Sequence, residues 1–321
     1  MNNQEVAKKV VDRMLEVINQ GGPLPWAKPW AEKRGTATIF DGYTEIEMVP
    51  KFWSRSGKPY QGINVLLLSL SGHEGEFITF NQCKAEGGKV KKGAKSSMIV
   101  FWTQISKETE ELDENGEKIV KVYPVLKTYN VFSIDDCEGI QQKHNPEPIK
   151  IRVPMYHNEP VTGIDPDSYN PAAEAIIADY VKRSGTLTID AAGLSNRAYY
   201  QPALDHVVVP NIIQFSQVEE YYSTLFHELG HSTGHHSRLN RFTGEAANAA
   251  FGSETYSREE LVAEITAATI LNTLGLESGN SFRNSAAYVK SWSEHIKNDP
   301  MMFITAASRA DKAVNCILGI E

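Results

Sequence analysis

The chain has 321 residues, 41% hydrophobic and 22% charged, with a net charge of -8. That describes an ordinary soluble globular protein, long enough for one large domain or two smaller ones. The densest apolar stretch, INVLLLSL, is too short to cross a bilayer, and Cys83, Cys137 and Cys316 are too scattered for a disulfide framework or a thiolate zinc site.

No basic-then-apolar leader is visible, so a reducing cytoplasm and no membrane partner are expected. The charge is uneven. Residues 1–150 hold 20 Lys and Arg against 20 Asp and Glu, whereas residues 151–321 hold 12 against 20. A mildly acidic total leaves room for a local basic patch that meets nucleic acid.

In chain order, Val6, Val10, Met14 and Ile18 recur at helical spacing and predict an amphipathic helix over 4–20. GGPLPWAKPW stops it. Residues 60–70 read as a short buried helix. EFITF, SSMIVFWTQI and IVKVYPVLKTYNVFSI read as strands, with Asn115-Gly116 as a hairpin tip. Residues 1–140 therefore form an α+β domain around an antiparallel sheet. The Pro-rich stretch 141–170 reads as a linker. Residues 171–321 form a mainly helical domain with a small sheet: a helix over 171–183, strands at TLTID and LDHVVVP, then helices near 216–234, 257–275, 284–297 and 300–317.

The stretch TLFHELGHSTGHHSRLNR contains H-E-x-x-H at 227–231. Residues four apart share one helix face, so His227 and His231 can approach one ion, at about 2.0–2.1 Å for zinc. Glu228 projects beside them, placed to accept a proton from water. A third ligand is required. His235 and His236 fall short of the spacing at which a longer motif places its third histidine. A later segment, YSREELVAEITAATILNTLGL, offers a carboxylate instead. Ser257 and Glu260 form a capping-box pattern, so the helix is expected to start there. Glu260 and Glu264 share a face beside the apolar stripe, while Glu259 is turned about 100° away. Glu260 as ligand, with Glu264 orienting a histidine, completes a His₂Glu set; Glu264 as ligand is the alternative. The expected ion is zinc, or another divalent ion such as Mn²⁺. This plan supports peptide or amide hydrolysis. DHVVVP is a candidate for the edge strand that receives substrate backbone, and Tyr199, Tyr200 or Tyr256 could polarise a carbonyl.

The first half interleaves aromatic and basic residues. Trp30, Lys58, Tyr60, Lys89, Lys91, Lys92, Lys95 and Trp102 are candidates for contacting single-stranded DNA, with duplex DNA as an alternative. The acidic KETEELDENGEK should lie off such a face.

LPWAKPW, SGKPYQGIN, FITFNQCKAEGGKVKKGAKSSMIVFW, EEYYSTLFHELGHSTGHHSRLNR, YSREELVAE, SAAYVKSW and AASRADKAVNCILG occur in this order. Together they resemble the ArdC-type antirestriction proteins of plasmids and phages over nearly the whole chain. The resemblance implies an N-terminal single-stranded DNA-binding domain and a C-terminal zincin-like metallopeptidase domain. It implies His227, His231 and Glu260 as metal ligands, Glu228 as the catalytic glutamate, and protection of incoming DNA from host restriction. The protein substrate is not legible; a host restriction component is one candidate. Two other readings stay open: a DNA-binding protein with a structural or idle zinc site, and a cytosolic metallopeptidase that cleaves a regulatory protein.

Overall fold

Apolar spacing in the first segment produces α1 (Asn3–Asn19) in the computed structural model. The structure describes residues 2–19, 38–40, 43–48, 50–112, 118–154, 169–243, 254–274, 276 and 296–320. Val6, Val10 and Met14 are buried along one face of α1, together with Ala7, Val11 and Leu15. Trp30, the hairpin tip at 115–116 and most of the helix expected over 284–297 lie outside the described residues.

Two sheets follow in the first half. One has the order β1 (Thr38–Phe40), β2 (Tyr43–Met48), β9 (Ile149–Pro154). The other runs β3 (Phe52–Ser54), β4 (Gly75–Thr79), β7 (Lys118–Ser133), β6 (Ser97–Leu112). Its pairs are antiparallel except β3 with β4. Between these strands lie α2 (Ile63–Ser69) and α3 (Phe80–Ala85). A small ladder joins β5 (Lys89–Val90) to β8 (Cys137–Glu138). β9 falls inside the stretch read as linker. It forms because IKIRVP finds a partner in β2, a hundred residues earlier, which no local signal announces.

Asparagine side chains close both edges of the long β6–β7 ribbon near its base. Asn64 on α2 exchanges two hydrogen bonds with the backbone of Val100, at 2.8 and 2.7 Å. Asn3 on α1 donates to Pro124 O and accepts from the N–H of Leu126. These bonds satisfy backbone groups that the sheet leaves without a strand partner.

In the second half, Asn170 caps α4 (Pro171–Ser184) by accepting from the Ala173 N–H, with Pro171 in the first turn. A three-stranded sheet has the order β10 (Thr188–Asp190), β12 (His206–Val208), β11 (Tyr199–Gln201). Three long helices follow, α5 (Val218–Ser232), α6 (Glu254–Leu274) and α7 (Pro300–Leu318). α6 begins at Glu254 and not at the Ser257 cap: the segment ETY continues the helix upstream, so the Ser-x-x-Glu pattern lies inside it.

α6 is the hub of the packing. Its Ala267, Ile270 and Leu271 join one core with α4, α5, α7 and β12. Its Leu261, Val262 and Ile265 join a second core that α1, α2 and α7 share with Val100 and Leu126 of the ribbon. The N-terminal helix and the C-terminal helices thus bury their apolar faces against each other. Among the described residues no helix is long and apolar enough to cross a membrane.

Candidate metal centre

α5 is helical because Tyr221, Tyr222, Leu225, Phe226 and Leu229 bury one broad face. His227 and His231 stand on a neighbouring strip of the same helix. Gly230, between them, lets α5 lie close against α6: a Cβ there would sit 3.1 Å from Cα of Ala263 and 3.4 Å from its Cβ. That close approach brings Glu260 to the histidines.

The two imidazole Nε2 atoms are 3.1 Å apart. Oε2 of Glu260 is 3.5 Å from Nε2 of His227, and Oε1 is 3.3 Å from Nε2 of His231. Among the described residues this is the one group of three or more His, Cys, Asp or Glu whose donor atoms converge, all within 4.8 Å of one another. Two imidazole lone pairs cannot face each other at such a distance without a proton or cation between them. Two nitrogens and a carboxylate make a donor set that fits a divalent ion.

Each histidine has a second carboxylate on its other ring nitrogen. Oε1 of Glu264 lies 3.6 Å from Nδ1 of His227, and Oε1 of Glu259 lies 3.7 Å from Nδ1 of His231. Glu259 is itself held by Arg241, at 2.5 and 3.1 Å. Helical spacing predicts Glu259 turned about 100° from Glu260 and so away from the site. The two histidines, however, sit a turn apart along α5, so carboxylates on either side of Glu260 along α6 each reach a different ring.

Burial pushes the Glu228 carboxyl above the ordinary carboxylate range, against the pull of His227 and His231; the backbone N–H of Tyr200 also bonds to it. Burial likewise disfavours a charged His231, but Glu259 and Glu260 outweigh it and raise the ring to about 10. Burial would raise Glu260 too, yet the two histidines hold it well below the usual carboxylate range. The pocket thus stabilises positive charge between these side chains.

The sheet beside the centre differs from expectation. DHVVVP forms β12, which is the central strand, with β10 on one side and β11 on the other. Tyr199–Gln201 is one of the two edge strands, and its Tyr200 N–H is the one that meets Glu228. The Tyr200 hydroxyl donates to Asp205 at 2.8 Å and lies within a network that Arg238 completes, so it does not point to a reacting carbonyl. His235 bonds Ser237 at 2.8 Å and stacks against His236, apart from the converging donors.

In the first half, Lys58, Lys89, Lys91, Lys92, Lys95 and Trp102 are exposed. The Lys91 ammonium donates to Asp135 O. Tyr60 is half-buried and packs against the core of Phe52, Leu68 and Phe77. Phe101, Tyr123 and Tyr129, not singled out in the sequence, are exposed on the ribbon.

Residues 173–309 match a family described as zincin-like metallopeptidase, which agrees with the helix pair and its converging donors. Residues 4–132 match the N-terminal domain of anti-restriction factor ArdC. The metal-free crystal structure of antirestriction ArdC protein from plasmid R388 is 31% identical, covers 97% of this chain and 96% of its own, and superposes with a TM-score of 0.61. Its Mn(II)-bound structure is 30% identical with a TM-score of 0.62. The chain belongs to the ArdC antirestriction family. Two Escherichia coli proteins named DNA primase TraC are 30% and 31% identical over 99% and 98% of this chain, which spans 20% and 27% of their length. The protein y4eC of Sinorhizobium fredii is 26% identical over 96% of this chain.

Proposed function

We propose that this protein binds single-stranded DNA through residues 1–140 and hydrolyses a peptide or amide bond at a zinc site in residues 171–321. Its biological role on this reading is to protect incoming plasmid or phage DNA from restriction in the host cytoplasm, with a host restriction component as the protein substrate. The observation that carries the reading is the convergence of His227, His231 and Glu260 beside the buried Glu228.

His227, His231 and Glu260 would hold the ion, and Mn²⁺ suits the same nitrogen and oxygen donors, as the Mn(II)-bound relative illustrates. A divalent ion there supplies Lewis acidity, which makes water more acidic and polarises a carbonyl. Glu264 and Glu259 orient the rings through their Nδ1 atoms and raise the basicity of the Nε2 atoms. Glu228 accepts a proton from water at its carboxylate and returns it to the leaving amine. Its raised pKa brings it nearer neutrality, where such transfers are efficient. The β11 edge offers backbone groups to an extended substrate.

The test compares wild type with Glu228→Gln, each loaded with zinc or Mn²⁺, on a degenerate peptide library and on single-stranded oligonucleotide. Wild type should take up one ion and cleave. Glu228→Gln should keep the ion, keep DNA affinity and lose cleavage by about 10²–10⁴-fold. A wild type that takes up no divalent ion overturns the hydrolase. Ion uptake and DNA binding without cleavage by either form would establish an idle site instead.

A further inference from the structure

The β6–β7 ribbon is sorted by face. Phe101 lies opposite Lys127, Ile99 opposite Tyr129, Ile105 opposite Tyr123, and Lys107 opposite Lys121. Opposed residues in an antiparallel pair share a face. This face therefore carries Phe101, Tyr123 and Tyr129, all exposed, with exposed Lys107, Lys121 and Lys127 between and beyond them. The other face carries Trp102, Gln104 and Ser106 opposite Leu126, Pro124 and Val122. Along 97–107 and 121–131 the three lysines all fall on the Phe101 face; the acidic run expected off such a face begins at Glu108 and forms the far end of the same ribbon, so the proposed face stops at Lys107 and Lys121.

A bare aromatic pair also stabilises a hairpin, and the Phe101 and Tyr129 rings do meet edge to face at 5.9 Å. That accounts for the pair but not for the one-sided lysines, nor for Tyr123 six residues further along the strand. Same-face side chains recur about every 6.6 Å along a strand, roughly twice the 3.4 Å rise of stacked bases in a duplex strand. An extended, unstacked strand matches that spacing and a duplex does not.

We propose that an unpaired DNA strand lies along this face of the ribbon, with bases on Phe101, Tyr129 and Tyr123 and phosphates on Lys127, Lys107 and Lys121. This rests on the single-stranded DNA reading above and assigns its surface. Trp102 belongs to the opposite side and takes no part.

The experiment is fluorescence anisotropy of a labelled oligothymidylate against the full chain, at low and moderate salt. The variants are Phe101→Ala with Tyr129→Ala, Lys127→Ser, and Trp102→Ala with Val122→Thr as the control for the opposite face. The aromatic pair variant should bind about tenfold more weakly or worse. Lys127→Ser should lower the salt slope by about 0.7. The opposite-face control should match wild type in both. If the alanine pair unfolds the ribbon by circular dichroism, Phe101→Leu with Tyr129→Leu keeps an apolar cross-strand pair and should still lose affinity. Ribbon variants that bind like wild type overturn the inference and leave the DNA reading standing. A wild type that fails to bind even at low salt overturns that reading and the inference with it. Ribbon variants that abolish a concentration-dependent dimer yet keep DNA affinity make the face a contact between copies, which also overturns the proposal.

Discussion

Arg241 fastens three things at once. It donates to Gly230 O at the end of α5, to the Thr233 hydroxyl at 2.6 Å, and to both oxygens of Glu259 on α6. Glu259 in turn faces His231. Arg241→Ala should therefore weaken ion binding by about 10–100-fold through misorientation of His231, measured by calorimetric titration of the metal-stripped protein. Unchanged affinity would show that His231 needs no such support. Asp205 gathers a hydrogen-bond network nearby, accepting from Thr186, Tyr200 and Arg238. Burial raises its carboxyl, but Arg238, Thr186 and Tyr200 outweigh burial and hold it at about 2. An acid whose folded pKa is depressed adds stability above its unfolded value of about 3.9, and that stability is lost as pH falls towards 2. Asp205→Asn should remove this loss, so its denaturant midpoint should vary less between pH 4 and pH 2 than that of wild type.

Helix contact at Gly230 governs the geometry one level up. Alanine at this position would gain about 1 kcal/mol of helix propensity but would press a methyl onto the α6 backbone at Ala263. The two effects oppose each other in stability and act together on the site, because any parting of α5 from α6 moves Glu260 off the histidines. Gly230→Ala should therefore keep its melting temperature within a few degrees of wild type while ion affinity falls by about tenfold. A fall in melting temperature with intact affinity would mean that the close crossing serves packing alone. The strands teach the same lesson differently. DHVVVP has the composition of a strand that might sit anywhere in a sheet. TLTID on one side and YYQ on the other make it central, and so give the open edge beside Glu228 to β11.

For the molecule as a whole, α6 links the metal centre to the N-terminal helix. In its first half Glu260 supplies a donor and Glu264 faces His227 Nδ1, while Leu261, Val262 and Ile265 pack in the core that α1 shares with Met302, Phe303 and Ile304. A shared core of this kind couples the unfolding of the two halves. Scanning calorimetry should show a single main transition, stabilised as a whole by about 2.7 kcal/mol at a divalent ion concentration a hundredfold above the dissociation constant. Two peaks, of which only one responds to the ion, would separate the halves.

What could be read from the amino-acid order alone was whatever repeats at short range. The His227–His231 spacing, the amphipathic α1, the β-rich runs that form β6 and β7 and the α+β class all follow from local composition and from periods of a few residues. Tertiary structure decided the rest: that Glu259 joins the site, that β9 inside the Pro-rich stretch pairs with β2, that β11 takes the edge beside Glu228, and that Tyr60 packs against a core while Phe101 and Tyr129 face out. Each of these depends on which distant segment lies alongside, and the energy of that choice comes from burial summed over the whole core, which no short window of sequence contains.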